Sequence, residues 1–223
     1  VATNNTKIPI IVKCESQCLL EASNEKNAFV TVGSHTFLVK RSDIKKVKEL
    51  REIAKDLPYD FWVTLVGDTI TEEALPTYES WLMDVDGVGQ VENNAWSKWV
   101  RQWTGEENRH GDLLSKYLYL SGRVNMREVE ISTQHLIADG FDIGTSTDPY
   151  KNFVYTTFQE LATYVSHNNV AKIARKKGHK ALAKMSKIIA GDEMRHHQAY
   201  SHFVKEIFKI DASEMMLAFQ HMM

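Results

Sequence analysis

The chain has 223 residues, of which 43% are apolar and 25% are charged, and its formal net charge is −2. This length suits one large soluble domain, and the weak negative charge excludes the broad positive field that nucleic-acid-binding proteins use. No run of about 18 apolar residues is present, so no membrane insertion is expected. The spacing of Cys14 and Cys18 matches no zinc or redox motif, which favours free thiols and a cytoplasmic location.

Residues 1–42 differ in pattern from the rest of the chain. The short β-branched segments KIPIIV, NAFVTV and HTFLVK predict strands, and Gly33-Ser34 between the last two predicts a small hairpin. From residue 43 onward a helical periodicity dominates, and the segment 139–149 predicts a loop between two helical halves. The sequence therefore predicts an irregular or hairpin N-terminal segment, 1–42, followed by an all-α bundle over 43–223.

The spacing Glu-x-x-His occurs twice, at Glu107 with His110 and at Glu193 with His196. Each pair falls within the apolar stripe of its predicted helix rather than opposite it. An ionised carboxylate in an apolar core is unstable unless it is paired or bound to a metal. One such pair alone is more typical of a solvated face or a buried histidine, but two copies on apolar stripes favour a metal site.

A metal site of this kind needs further acids from other helices. Glu160 is the only acid on its face of a predicted helix, whereas periodicity leaves Glu72 and Glu73 as alternatives on another. The separations 107 − 72 = 35 and 193 − 160 = 33 place one acid about a helical hairpin before each Glu-x-x-His. This layout is that of ferritin-like di-iron carboxylate bundles. Four carboxylates would balance two divalent ions, and oxygen with imidazole donors favours iron.

Longer strings resemble a known family, the soluble acyl-[acyl-carrier-protein] desaturases of plastids and bacteria. The strings are VGDTITEEALPTY (66–78), WTGEENRHGDLLSKYLYLSGRVNMR (103–127), FVYTTFQELATYVSHNN (153–169) and DEMRHHQAY (192–200), and their spelling is nearer to bacterial members. The resemblance runs from about residue 43 to 223. It implies a ferritin-like, homodimeric di-iron enzyme that introduces a cis double bond into a saturated acyl chain on acyl carrier protein. Dioxygen and electrons from ferredoxin would complete the reaction, in the cytoplasm or in a plastid stroma.

The resemblance also implies roles for single residues. It selects Glu72 over Glu73, so that the implied iron ligands are Glu72, Glu107, His110, Glu160, Glu193 and His196. It places Thr163 beside the irons, where the hydroxyl would relay a proton or position oxygen, or else only pack between helices. It implies an acyl tunnel lined by Trp81, Asp84, Val85, Asn152 and Phe153. Trp81 would shorten that tunnel, unless it is only a core residue.

Three further residues acquire expected roles from their positions. Glu106 and Asp192 each precede a predicted ligand, and we expect them to accept hydrogen bonds from the far nitrogen of a ligand histidine, the alternative being solvated acids. Pro76 cannot donate a hydrogen bond to the carbonyl of residue 72, so the helix should loosen at that ligand.

Two basic stretches are candidate docking faces for the acidic carrier protein, or else simply solvated: KKVKELR (45–51) and KIARKKGHKALAKMSK (172–187). Residues 1–42 do not resemble the N-terminal helices of the family, one of which carries a tryptophan on the electron-entry path. Relatives continue with further helices, which suggests that this chain is a fragment. The same ligand set also fits a ferritin-like ferroxidase or iron-binding protein, or a catalytically inert relative.

Overall fold

The fold is an all-α bundle with a small sheet at its N-terminal side, as predicted. The computed structural model describes residues 20–22, 26–32, 35–89 and 94–223, and within them the chain forms three strands and eight helices. The elements are β1 Leu20–Ala22, β2 Asn27–Val32, β3 His35–Lys40, α1 Arg41–Ala54, α2 Tyr59–Glu73, α3 Leu75–Asp84, α4 Ala95–Ser121, α5 Met126–Asp139, α6 Pro149–Lys176, α7 Lys180–Ile210 and α8 Ala212–Met222. Cys14, Cys18 and the segment KIPIIV lie outside the described residues.

The N-terminal sheet has the strand order β1-β2-β3 and is antiparallel. Strand β2 pairs with β3 from Asn27 opposite Lys40 to Val32 opposite His35, which confirms the hairpin predicted from NAFVTV and HTFLVK. Strand β1 pairs with the other edge of β2 and was not predicted. Its three residues are too few to establish an alternating pattern.

Four long helices form the bundle that positions the polar core. Helix α2 packs against α4 and α6, and α7 packs along α6 and against α4. A cluster of buried apolar side chains from these helices and α1 fills one part of the bundle, and its largest members are Phe61, Trp62, Leu65, Leu114, Tyr117, Leu118, Leu182 and Ile189. Among the described residues, no helix has the combined length and apolar character of a membrane span.

Side-chain caps start α4 and α6, two of the helices that carry the polar core. The Asn94 side chain accepts a hydrogen bond from the Ser97 backbone N–H at 2.7 Å, which starts α4. Asp148 caps α6 in the same way, at the end of the connection between α5 and α6, which falls within the loop predicted over 139–149. Gly122 ends α4 with a φ of 64°, a left-handed conformation that glycine adopts without strain.

The break between α2 and α3 lies next to Glu72. Helix α2 ends at Glu73 and α3 begins at Leu75, with Ala74 between them at φ −77° and ψ 12°. Pro76 has no N–H to donate to the Glu72 carbonyl, so the regular hydrogen-bond pattern stops there. Gly111 lets α4 approach this point, because a Cβ on it would lie 3.0 Å from the Glu72 carbonyl oxygen. The predicted loosening of the helix at Glu72 is confirmed.

Candidate metal centre

The structure brings the six predicted ligands together in the middle of the bundle. Glu72 comes from α2 and Glu160 from α6, while each Glu-x-x-His pair comes from α4 or α7. All six side chains are buried: Glu72, Glu107, His110, Glu160, Glu193 and His196. The apolar stripes of α4 and α7 face each other here, which is why their embedded polar residues meet.

The six side chains form two overlapping groups. One group contains Glu72 and His110 and the other contains Glu160 and His196, while Glu107 and Glu193 belong to both. Within each group, one ligand atom from every residue lies within 4.8 Å of the others. Three carboxylates with one imidazole form a donor set for a divalent transition metal. The geometry thus supplies two adjacent metal-binding groups that share two carboxylates.

The contacts inside the cluster leave polar atoms without aligned partners. His110 Nδ1 lies 3.0 Å from Glu193 Oε1, and His196 Nδ1 lies 2.8 Å from Glu107 Oε1. These close pairs lack hydrogen-bond alignment, and Glu107 Oε1, Glu193 Oε1 and His196 Nδ1 have no hydrogen-bond partner among the described residues. Buried polar atoms are normally satisfied. A coordinated cation would satisfy these three, so the residues present fit a metal.

Acidic residues outside the two groups orient the histidines. His110 Nε2 lies 3.1 Å from Asp192 Oδ2, and His196 Nε2 lies 3.0 Å from Glu106 Oε2. The pairs are therefore crossed between α4 and α7, since each acid contacts the histidine of the other helix. In this arrangement Nε2 carries the proton donated to the acid, and Nδ1 faces the carboxylates of the cluster. These are the contacts that the predicted roles of Glu106 and Asp192 require.

The metal-free cluster holds protons that a metal would displace. Burial raises the pKa of Glu72 to about 8, and burial likewise raises the pKa of Glu160 well above its ordinary value. For His110, burial opposes the charged form, but the adjacent carboxylates of Glu107 and Glu193 outweigh it and raise the pKa to about 11. Metal binding to such a site should release protons, because the ligands must be deprotonated.

A cavity of about 320 Å³ opens directly beside the cluster. One end is lined by carboxylates of the cluster and by Thr163. The other end is mainly apolar and is lined by Leu75, Tyr78, Trp81, Leu82, Leu136, Phe141 and Tyr155. The Trp81 ring contacts Phe141 and Tyr155 edge to face, at centroid distances of 5.3 and 6.0 Å. A largely apolar pocket that ends at a polar cluster suits an apolar substrate presented to a metal.

Comparison with known proteins gives the same assignment as the resemblance. A family model described as fatty acid desaturase matches residues 35–223. Stearoyl-[acyl-carrier-protein] 9-desaturase 2, chloroplastic, of Oryza sativa subsp. indica is 53% identical over 181 residues, which cover 80% of this chain and 46% of the relative. The chain belongs to the acyl-[acyl-carrier-protein] desaturase family.

Two further relatives have the same coverage. Acyl-[acyl-carrier-protein] desaturase, chloroplastic, of Cucumis sativus is 51% identical over 182 residues, 80% of this chain and 46% of the relative. Stearoyl-[acyl-carrier-protein] 9-desaturase, chloroplastic, of Ricinus communis is 52% identical over 182 residues, with the same shares. The chain thus spans about half the length of the curated relatives it matches.

The candidate metal centre contains a third buried histidine to which sequence reasoning gave no role. His167 Nε2 lies 2.8 Å from Glu72 Oε1, and its Nδ1 lies 3.8 Å from Asp68 Oδ2. Ser166 donates a hydrogen bond to the other oxygen of Asp68 at 2.8 Å. A spacing signal was present, because His167 lies seven residues after Glu160, two turns along the same helical face.

Trp103 is the second residue of the site that sequence reasoning left without a role. Its Nε1–H donates a hydrogen bond to Glu160 Oε1 at 2.9 Å. Trp103 lies one turn before Glu107 on the apolar stripe of α4, and a tryptophan at such a position predicts a core residue. The partner of the indole N–H lies on another helix, so the sequence spacing alone did not reveal it.

The residues predicted to line an acyl tunnel fall into three groups. Trp81 lines the cavity beside the cluster. Val85, Asn152 and Phe153 instead line a separate space of about 10 Å³. Asp84 is exposed at the end of α3 and lines neither space, so it is removed from the tunnel. A carboxylate is costly against an acyl chain, and Asp84 lies at the protein surface instead.

Thr163 lies on α6, on the side that faces Glu193 of α7. Its Oγ1 is 3.1 Å from Glu193 Oε2, and it is also 3.0 Å from the Glu160 carbonyl oxygen of its own helix. The hydroxyl hydrogen can serve only one acceptor at a time. The geometry therefore permits both the helix-packing role and a role toward the cluster.

Proposed function

We propose that this chain carries the catalytic centre of an acyl-[acyl-carrier-protein] desaturase, which introduces a cis double bond into a saturated acyl chain on acyl carrier protein. One observation carries the proposal: two buried carboxylate–histidine groups adjoin an apolar cavity in a chain about half identical to curated acyl-carrier-protein desaturases. A fold alone would not support an activity, but this site chemistry does.

Two iron ions are the cofactor that we assign to the two groups. Oxygen donors with one imidazole per group suit iron, and four carboxylates would balance the charge of two divalent ions. Iron with dioxygen supplies the strong one-electron oxidant that an unactivated methylene requires and that no side chain provides. The six side chains named above would hold the ions.

The surrounding side chains position the cluster. Glu106 and Asp192 hold the far nitrogens of the histidines, which keeps Nδ1 directed at the metal-binding groups. Trp103 holds one oxygen of Glu160 and so fixes the direction of the other. Thr163 can hold a proton on Oγ1 next to Glu193 and at the cluster end of the cavity.

The apolar cavity is the site that we assign to the acyl chain. The aromatic wall of Trp81, Phe141 and Tyr155 excludes water from the chain and limits its length beyond the cluster. Val85, Asn152 and Phe153 would join this tunnel only if the small space that they line connected to the cavity.

Partners and location follow from the family. We assign acyl carrier protein as the carrier of the substrate and ferredoxin as the donor of two electrons per turnover, and we expect a homodimer. The matching relatives are plant proteins whose names place them in the chloroplast. We therefore place the protein in the plastid stroma for a plant or algal source, and in the cytoplasm for a bacterial one.

The test is a reconstituted turnover assay. The protein is loaded with iron without oxygen, then given stearoyl-acyl carrier protein, ferredoxin and dioxygen, and the acyl products are analysed by mass. We expect a product two mass units lighter than the substrate. Oxygen consumption without an alkene would instead support a ferroxidase, and the absence of both would support an inert relative.

A further inference from the structure

Helix α4 contains two glycines in its interior, where glycine weakens a helix relative to alanine. The first, Gly105, is exposed, and a Cβ added to it would meet no atom within 4 Å. The second, Gly111, is buried on the face that packs against α2. Of the two, only Gly111 therefore has a reason in the packing.

Gly111 lies against the backbone of a predicted metal ligand. A Cβ on Gly111 would lie 3.0 Å from the carbonyl oxygen of Glu72 and 3.1 Å from its carbonyl carbon. It would also lie 3.3 Å from Cγ of Glu73. A flexible side chain can rotate away from such a contact, but a backbone carbonyl cannot. With any larger residue at 111, α2 and α4 would have to separate by a few tenths of an ångström.

Glu72 has little freedom to compensate for such a separation. Its carboxylate is held on the far side, where Oε1 lies 2.8 Å from Nε2 of His167 on α6. Its backbone is held by the contact with Gly111. Distances between a metal and its ligands vary by only about 0.2 Å. A separation of a few tenths of an ångström is therefore large enough to disturb coordination by Glu72.

The two metal-binding groups depend on different helices. We call the group that contains Glu72 and His110 the Glu72 group, and the one that contains Glu160 and His196 the Glu160 group. Three of the four ligands of the Glu72 group lie on α2 and α4, whereas three of the four ligands of the Glu160 group lie on α6 and α7. Gly111 directly follows His110, so a change there acts on both ligands that only the Glu72 group has.

The Glu160 group has no comparable contact at the glycine of α7. Gly191 lies two residues before Glu193, and a Cβ on it would meet only Nη1 of Arg195, at 3.9 Å. That distance is an ordinary van der Waals contact, and the guanidinium lies at the exposed end of a flexible side chain. The close approach of two backbones is thus a feature of the Glu72 group.

We infer that Gly111 is a positioning residue of the metal centre, which lets α4 approach α2 closely enough for the Glu72 group to bind its ion. The inference rests on the proposed function, because it concerns the same two metal-binding groups. It implies that a single added methyl group at residue 111 empties the Glu72 group and leaves the Glu160 group occupied.

The test compares two Gly→Ala substitutions in the same helix. Gly111→Ala adds a methyl group against the Glu72 backbone, and Gly105→Ala adds the same group in open space as the matched control. Both replace a glycine in a helix interior, so both gain the same helix propensity. The chains are loaded with ferrous iron without oxygen, and iron per chain is measured by elemental analysis. A competing chelator gives the affinity for each ion, and circular dichroism checks the fold.

We expect the original chain and Gly105→Ala to bind two ions each. Gly111→Ala should bind one ion with nearly unchanged affinity and the second about 10- to 100-fold more weakly, as for other residues that orient metal ligands. Two ions bound with the original affinities would overturn the inference. So would the loss of both ions or a failure to fold, because the contact would then support the whole bundle. An original chain that binds no iron would instead overturn the proposed metal centre.

A double variant identifies the group that obstructs the added methyl. Adding Glu73→Ala to Gly111→Ala removes the contact with Cγ of Glu73 but leaves the Glu72 carbonyl in place. We expect the second ion to remain weakly bound in the double variant. Full recovery of its affinity would show that the Glu73 side chain is the obstacle, and it would overturn the role assigned to the backbone contact.

Discussion

The two helices that contribute a single carboxylate to the cluster hold it in different ways. Glu160 lies within the unbroken helix α6 and accepts a hydrogen bond from the Trp103 indole. Glu72 lies next to the last residue of α2, where Pro76 interrupts the hydrogen bonds, and its carboxylate contacts His167 on α6. Where the backbone is regular, one side-chain donor suffices. At a helix end, the ligand is held by a histidine that is itself backed by an acid.

The two carboxylates differ also in how many residues hold them in place. His167 is backed by the Asp68 carboxylate, which in turn accepts a hydrogen bond from Ser166. Asp68 and His167 each retain a buried atom without a hydrogen-bond partner among the described residues. The support of Glu72 is therefore a polar chain between two helices, and its members should be more sensitive to substitution than the single indole contact of Glu160.

The largest effect is expected at Glu107 and Glu193, the two carboxylates that both metal-binding groups share. Each belongs to both metal-binding groups, so Glu107→Ala or Glu193→Ala should lower the iron content and abolish desaturation. Iron per chain is measured by elemental analysis after anaerobic loading. Glu73→Ala, at an acid outside both groups, is the control and should keep its iron. An unchanged iron content in both variants would refute the ligand assignment.

A smaller effect should distinguish the supports of the two single carboxylates. His167→Ala removes the partner of Glu72 and should weaken iron binding by about 10- to 100-fold, as for other residues that orient metal ligands. Trp103→Phe keeps the ring but removes the N–H that holds Glu160, and it should weaken binding less. Iron titration with a competing chelator measures both affinities, and His167→Gln, which retains a donor, should recover part of the loss. An effect of Trp103→Phe equal to that of His167→Ala would contradict the comparison.

The stability of the metal-free protein should depend on pH through Glu72. The pKa of Glu72 rises from an ordinary value of 4.5 to about 8 on folding of the metal-free protein. The folded chain then binds more protons than the unfolded chain between these values, so the free energy of unfolding falls as the pH rises through them. His110, raised from 6.5 to about 11, extends the decrease to higher pH.

Glu72→Gln removes the Glu72 contribution at nearly constant shape. Thermal unfolding of the metal-free variant should match that of the original chain near about pH 4, below the ordinary pKa of a glutamate, and should exceed it by a margin that grows up to about pH 9. Circular dichroism measures both transitions. Parallel curves over this range would show that Glu72 does not retain a proton in the metal-free cluster.

The smallest expected effect concerns the far end of the cavity. Trp81→Ala should enlarge the apolar pocket and shift the preference in kcat/KM toward longer saturated chains, since a misfitted methylene is worth about 1 to 3 kcal/mol. Iron content should not change, because Trp81 contacts Phe141 and Tyr155 rather than the six ligands. Competition between acyl chains of different length gives the ratio directly. An unaltered profile in a folded, iron-loaded variant would make Trp81 a core residue only.

Much of the architecture followed from periodicity and turn residues. The helical period predicted the bundle, the alternation of NAFVTV and HTFLVK predicted the hairpin, and Pro76 predicted the break at Glu72. These features depend on the local chain, where each residue constrains its neighbours within a turn or a strand pair. Burial of Glu107 and Glu193 was predictable for the same reason, because an acid inside an apolar stripe must enter the core.

The tertiary structure alone decided which residues from different helices meet. The crossed contacts of His110 with Asp192 and of His196 with Glu106 join positions more than eighty residues apart. The partners of His167 and Trp103 likewise depend on how the helices pack, and Asp84 faces water although its helix carries Trp81 into the cavity. By itself the sequence determined the types of donor and the face on which each one lies. The distances between those donors depend on helix packing, because spacing along one helix contains no information about the neighbour against which that face packs.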